Sequence, residues 1–88
     1  MLAPDCVPRL WRLARLDFDP VRQRHVLLYP EGAVLLNDSG AAILELCDGS
    51  HTLEQIATIL TERYQADVSA DVSEYLTRMS ERELVRAG

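Results

Sequence analysis

HVLLYPEGAVLLNDSGAAILELC, residues 25–47, contains the point at which the hydrophobic pattern changes from that of strands to that of a helix. Two compact apolar runs, residues 25–29 and 33–36, flank Pro30-Glu31-Gly32, whose residue types favour a tight turn. Apolar residues then recur at helical spacing over residues 40–47. The stretch therefore predicts a β-hairpin followed directly by a helix.

The residues before this hairpin add one more predicted strand. Apolar side chains between Trp11 and Phe18 break step after Leu13, so we expect a strand with a bulge near Ala14. Residues 19–23, Asp-Pro-Val-Arg-Gln, have the chemistry of a turn. Together the three segments predict an antiparallel meander whose outer strands leave free edges unless something covers them.

Three helices are predicted after the meander. Asn37, Asp38 or Ser39 can cap the first, over residues 40–47, and Gly49 suits a left-handed stop after it. A capping box, Thr52 with Gln55, opens a second helix that ends near Tyr64. The third is expected from Ser69 to about Leu84.

The predicted fold class is α+β and winged-helix-like, with a three-stranded antiparallel sheet followed by three helices. The 88 residues suffice for one small hydrophobic core. Residues 1–9, which contain Pro4 and Pro8 and show no periodicity, predict a flexible N-terminal arm. Residues 10–88 are expected to form a single domain. An arm of this kind allows domain swapping at high concentration, and a monomer is expected in solution.

Charge and composition bear on the partners of the protein. The formal net charge is −5, and residues 31–88 carry four Arg against eleven acidic residues. Such a surface repels a phosphate backbone, so we expect no nucleic-acid binding. No apolar run approaches the roughly 20 residues of a membrane span, and no signal peptide is recognisable. With only Cys6 and Cys47, far apart in the chain, the sequence predicts a cytoplasmic protein with reduced thiols.

No catalytic or metal-binding pattern emerges. Cys47, Asp48 and His51 lie close in sequence, but the spacing crosses the Gly49 stop and no orienting third group is evident. The two His and two Cys lack the short paired spacings of a zinc site. The sequence therefore predicts no catalytic residues, no metal and no cofactor. A small enzyme dependent on Cys47 is an alternative that Cys47→Ala would test.

The third strand and the third helix carry the candidate binding residues. If the third strand lies at the rim of the meander, its unpaired backbone groups can receive an extended peptide as a fourth strand. The alternative is an edge that is simply short or is covered by the N-terminal arm. The candidate strand residues are Val34, Leu35, Leu36 and Asn37.

On the helix, the apolar face that includes Tyr75 and Met79 is wider than core packing requires, so both residues are predicted to line a groove. Arg78, Arg82 and Arg86 form a stripe that suits carboxylates of a bound peptide. Ordinary helix-surface ion pairs explain Arg78 about equally well, and they explain Arg86 better. The candidate helix residues are Tyr75, Arg78, Met79 and Arg82.

Three phrases of the chain in combination resemble the PqqD family of pyrroloquinoline quinone (PQQ) biosynthesis. They are D-x-V-R at residues 19–22, V-L-L-x-P-E at residues 26–31 and L-C-D-G at residues 46–49. The resemblance runs from about Pro8 to Val85. His25 departs from it, because the family often has an aromatic residue there.

The resemblance implies a peptide chaperone that has no catalytic activity. Domains of this family bind the precursor peptide PqqA and deliver it to PqqE, a radical-SAM enzyme that joins a Glu and a Tyr side chain of the peptide. In the wider class of recognition elements for ribosomally made peptides, the leader adds as a strand beside the third strand, under the third helix. The remaining alternative is a winged-helix DNA-binding regulator, which would need a basic recognition helix.

Overall fold

The order of elements follows the predicted change of pattern from strands to helices. The computed structural model describes residues 2–87; Met1 of the predicted arm and Gly88 of the predicted domain lie outside the described residues. The elements are β1 (Pro8–Leu10), β2 (Arg15–Asp19), β3 (Arg24–Tyr29), β4 (Gly32–Leu36), α1 (Asp38–Glu45), α2 (Leu53–Tyr64), α3 (Ser69–Glu81) and β5 (Val85–Ala87). The α+β order of three antiparallel strands and then three helices is confirmed.

The main sheet has the strand order β2-β3-β4, with both pairs antiparallel. The turn between β2 and β3 is held by Asp19, whose Oδ1 accepts the amides of Val21 and Arg22 at 3.0 and 3.3 Å. The predicted bulge near Ala14 is wrong. The Ala14 amide instead donates to the Trp11 carbonyl at 2.8 Å, so the break in the apolar pattern marks a turn that precedes β2.

Local capping explains where the helices begin. Asn37 caps α1, and its Oδ1 accepts the Gly40 amide at 2.7 Å. The predicted capping box of α2 is confirmed in both directions, Thr52 amide to Gln55 Oε1 and Gln55 amide to Thr52 Oγ1. The predicted role of Gly49 was misplaced: α1 ends at Glu45, and Gly49 takes its left-handed φ of 85° in the loop beyond.

A second, two-stranded sheet was not predicted. Helix α3 ends at Glu81 and not near Leu84, the chain turns through Glu83 at a φ of 62°, and β5 then pairs antiparallel with β1. We call this pair the terminal ribbon. Residues before β1 also contact the start of α2. The amides of Leu53 and Glu54 donate to the carbonyls of Cys6 and Pro4 at 2.8 and 3.0 Å. The mobility of residues 1–9 stays a prediction.

The core lies between the inner face of the main sheet, the three helices and β5. The largest fully buried side chains of the protein are Leu27, Leu44, Ile56, Leu60, Leu76, Val72, Val85 and Pro8. Within residues 2–87, no helix has the length and apolarity needed to cross a membrane.

Candidate functional site

Strand β4 has one free edge. It pairs with β3 on one side, and within residues 2–87 no strand pairs with its other side. Its sequence, Gly-Ala-Val-Leu-Leu, contains no charge and no proline, the devices that normally discourage pairing at an edge. The opposite edge strand, β2, carries Arg15, Asp17 and Asp19 at alternate positions. The edge of β4 is therefore the better acceptor for an added strand.

The alternation of the antiparallel ladder identifies which backbone groups of β4 face outward. Tyr29 and Gly32 close a two-residue turn, so they form a hydrogen-bonded pair, and the following pairs alternate. In β2, the Phe18 amide bonds to the Asp17 side chain at 2.8 Å, which fits the same alternation carried across β3. Ala33 and Leu35 therefore direct their amides and carbonyls to the free edge.

Helix α3 flanks this edge, and contacts near both ends of the helix fix its position relative to β4. A Cβ added at Gly40, just beyond β4, would lie 2.9 Å from the Tyr75 hydroxyl. At the other end, Arg82 Nη2 donates to the hydroxyl of Tyr29, the partner of Gly32, at 3.4 Å. Helix α3 thus runs from the Leu36 end of the strand to the Gly32 end. We call the space between the β4 edge and α3 the edge cleft.

A cavity of about 410 Å³ begins at Asn37, the residue that follows the Leu36 end of β4. Arg78 stands at its mouth, with its guanidinium 5.9 Å from the centre of the Tyr75 ring and 3.6 Å from Glu74. Burial raises the pKa of the Tyr75 hydroxyl, which therefore stays protonated at neutral pH and can donate a hydrogen bond. The lining residues are Asn37, Ser39, Gly40, Ile43, Leu60, Tyr64, Val68, Asp71, Val72, Glu74, Tyr75 and Arg78.

The candidate binding residues from the sequence occupy different parts of the structure. Asn37, Tyr75 and Arg78 line one cavity, while Arg82 lies at the opposite end of the cleft. Val34 is half-buried and Leu35 is exposed along the strand. The side chains of Leu36 and Met79, 3% and 5% exposed, belong to the core. Direct contact between those two side chains and a peptide stays a prediction.

Two residues of the cleft were missed by sequence reasoning. Tyr29 positions Arg82, and Gly40 leaves room for Tyr75. Gly40 carried a signal that could have been used. Glycine weakens the first turn of a helix that already has an Asn cap, so its presence there indicates a close approach by another residue. Tyr29 carried no such signal, because its partner is 53 positions away.

The cysteine that the sequence raised as a catalytic alternative is poorly suited to that role. Cys47 is 3% exposed, its Sγ contacts the Ile43 carbonyl at 3.4 Å, and burial raises its pKa to about 12. A thiol held protonated in the core is a weak nucleophile. Among the described residues, no group of three or more His, Cys, Asp or Glu side chains is arranged to hold a metal ion.

Comparison with known proteins identifies the family. Residues 24–85 match the family described as Coenzyme PQQ synthesis protein D (PqqD). The PqqA binding protein of Methylococcus capsulatus is 46% identical over 76 residues, which cover 85% of this chain and 82% of that protein. The chain belongs to the PqqD family. Its predicted resemblance to PqqD is therefore confirmed.

The comparisons also include a longer bifunctional protein and the solved structure of a PqqD truncation. The bifunctional coenzyme PQQ synthesis protein C/D of Methylorubrum extorquens is 44% identical over 82 residues, 90% of this chain but 22% of that protein. The solution NMR structure of the PqqD truncation of Methylobacterium extorquens PqqCD superimposes with a TM-score of 0.83 at 40% identity, covering 98% of this chain and 95% of that one. That truncation is described as a functional, stand-alone recognition element for ribosomally synthesised and modified peptides.

Proposed function

We propose that this PqqD-family chain binds the peptide PqqA as an added strand on β4 and presents it to the radical-SAM enzyme PqqE in PQQ biosynthesis. The observation that carries the proposal is the uncharged free edge of β4 beside α3. The relatives named PqqA binding protein, and the recognition element of similar fold, support PqqA as the occupant.

The chain itself performs no chemistry in this proposal. Hydrogen bonds from Ala33 and Leu35 supply affinity that does not depend on the peptide sequence, and side chains of α3 supply selectivity. Binding two partners at once raises the local concentration of PqqA at the enzyme, so each contact can be weak. We place this activity in the cytoplasm, with Cys6 and Cys47 as free thiols and the chain as a monomer.

Titration of the ¹⁵N-labelled chain with PqqA tests the proposal. We expect shifts in β4 and α3, and at least a tenfold loss of affinity in Leu35→Pro, because the outward Leu35 amide is removed without breaking the β3–β4 ladder. Phe18→Pro is the matched control, since its amide faces the other free edge. Equal PqqA affinity in a folded Leu35→Pro variant would contradict strand addition.

Presentation to PqqE has its own measurement. In a reaction of PqqE with PqqA, adding the wild-type chain should raise the yield of the peptide with linked Glu and Tyr side chains. Leu35→Pro should raise it much less, and Phe18→Pro as much as wild type. An equal yield with and without the chain would contradict the presenting role, but it would not contradict PqqA binding.

A further inference from the structure

The register of an added strand would be set at three positions along the edge cleft, those opposite Leu36, Val34 and Gly32. Every pair in the main sheet is antiparallel, and antiparallel pairing is slightly the more stable, so we take the peptide to run from the Leu36 end to the Gly32 end. Residues directly opposite each other share a face of the sheet. Peptide residues opposite Leu36, Val34 and Gly32 would then point toward α3, and those opposite Leu35 and Ala33 toward the outer face.

The α3 side of the cleft carries an arginine at two of these three positions. Arg82 lies at the Gly32 end, Tyr75 lies at the Leu36 end, and Arg78 falls between them. Arg78 and Arg82 are one helical turn apart, about 6 Å along the axis. Alternate residues of a strand are about 6.8 Å apart, so two carboxylates at alternate positions match the two guanidinium groups.

Both arginines are available for such carboxylates. Among the described residues, Arg82 has no carboxylate oxygen within 4 Å, although Glu31 and Glu83 line the groove at its end of the cleft. Within residues 2–87, Arg78 pairs only with Glu74, and both side chains are well exposed, at 62% and 70%. An exposed pair of this kind contributes little, so a peptide carboxylate can replace Glu74 at small cost.

The outer face of the sheet is apolar around Leu35. Val26 is only 7% exposed, whereas Leu35, directly opposite it on β4, is 45% exposed. A side chain that stands opposite Leu35 on an added strand would continue this cross-strand row and cover Leu35. An apolar side chain gains most from that position.

We infer that the site selects peptides with the pattern apolar–apolar–acidic–any–acidic, read from the amino end. The first apolar side chain meets Tyr75, the second covers Leu35, and the two acidic side chains meet Arg78 and Arg82. The inference rests on the proposed function, because it specifies the occupant of the same cleft. It adds a spacing requirement that net charge alone does not impose.

Two peptides of identical composition test the spacing. One carries Ile-Val-Glu-Thr-Glu between Gly-Ser flanks, and the other carries Ile-Val-Glu-Glu-Thr, which sends its acidic side chains to opposite faces. We expect the first to bind about fivefold more tightly or better, by NMR titration. Equal affinities, or no binding of the first peptide at millimolar concentration, would overturn the inference.

Charge reversal supplies the second arm of the experiment. The double variant Arg78→Glu with Arg82→Glu should lose affinity for the Glu-Thr-Glu peptide and gain affinity for its Lys-Thr-Lys counterpart. Arg63→Glu, on the exposed end of α2, is the control and should leave the preference unchanged. If PqqA binds β4 and α3 but neither arm responds, the spacing rule is wrong and the proposed function stands. If PqqA does not bind, the proposed function itself fails.

Discussion

Gly40 is the residue at which the packing of α1 against α3 leaves no room for a side chain. An added Cβ would lie 2.9 Å from the Tyr75 hydroxyl oxygen, 3.2 Å from the Tyr75 Cζ and 3.0 Å from Asn37 Oδ1. The first two atoms belong to a half-buried ring that lines the edge cleft. Gly40 therefore determines where Tyr75 stands, and through it the shape of the apolar end of the cleft.

Gly40→Ala should lower the affinity for PqqA by displacing the Tyr75 ring, measured by NMR titration. Its effect on the free energy of unfolding should be small, because alanine gains about 1 kcal/mol of helix propensity against the clash. Adding Tyr75→Phe removes the clashing hydroxyl and should recover part of the lost affinity. A double variant that binds no better than Gly40→Ala would show that Tyr75 does not transmit the effect.

At this scale, sequence patterns predicted the exposure of polar candidate residues better than that of apolar ones. Arg78 was expected on an exposed stripe, and it is exposed. Met79 and Tyr75 were expected to share a groove, yet Met79 is buried and Tyr75 lines the cavity. Spacing along a helix shows which residues share its apolar face. How much of that face neighbouring elements cover depends on packing that no local pattern contains.

The helices illustrate how far local patterns determine an element. The Thr52 and Gln55 capping box was predictable because both partners lie within one turn and their hydrogen bonds form within the segment. The terminal ribbon was not predictable, since its three-residue strands are too short to display a period of two. Its pairing joins residues 8 and 87, so it depends on the rest of the fold.

Thr52→Ala should reduce the free energy of unfolding by about 1 kcal/mol, because the Gln55 amide loses its acceptor and the capping box is broken. Denaturation in urea measures the change. Thr58→Ala, exposed on the same helix, should be neutral or slightly stabilising, since alanine is the better helix former. Equal losses in the two variants would indicate that the cap contributes nothing specific.

The terminal ribbon joins the N-terminal and C-terminal parts of the described structure. Leu10 pairs with Val85, and Val85, which is 1% exposed, belongs to the same core as α2 and α3. The Trp11 amide donates to the Leu84 carbonyl at 2.9 Å, which extends the connection beyond the strands. Residues near both ends of the chain therefore contribute to the stability of a domain whose sheet and helices lie between them.

Val85→Ala should lower the free energy of unfolding by about 2 kcal/mol, through two lost methyl groups and the cavity they leave. Ala87→Ser, at an exposed position of the same strand, should change it little. Both variants should still bind PqqA at temperatures where they are folded, because neither residue lines the edge cleft. A small effect of Val85→Ala would mean that the ribbon is marginal to stability.

Because Ala87 pairs with Pro8, polypeptide attached after β5 would leave the domain beside the first residue of β1. Such a tether would keep the free edge of β4 within a limited distance of whatever it is joined to. The bifunctional relative from Methylorubrum extorquens, of which the matched region makes up about a fifth, carries this domain type within a longer chain. Fusion after the exposed Ala87 would not require a change in the interior of the domain.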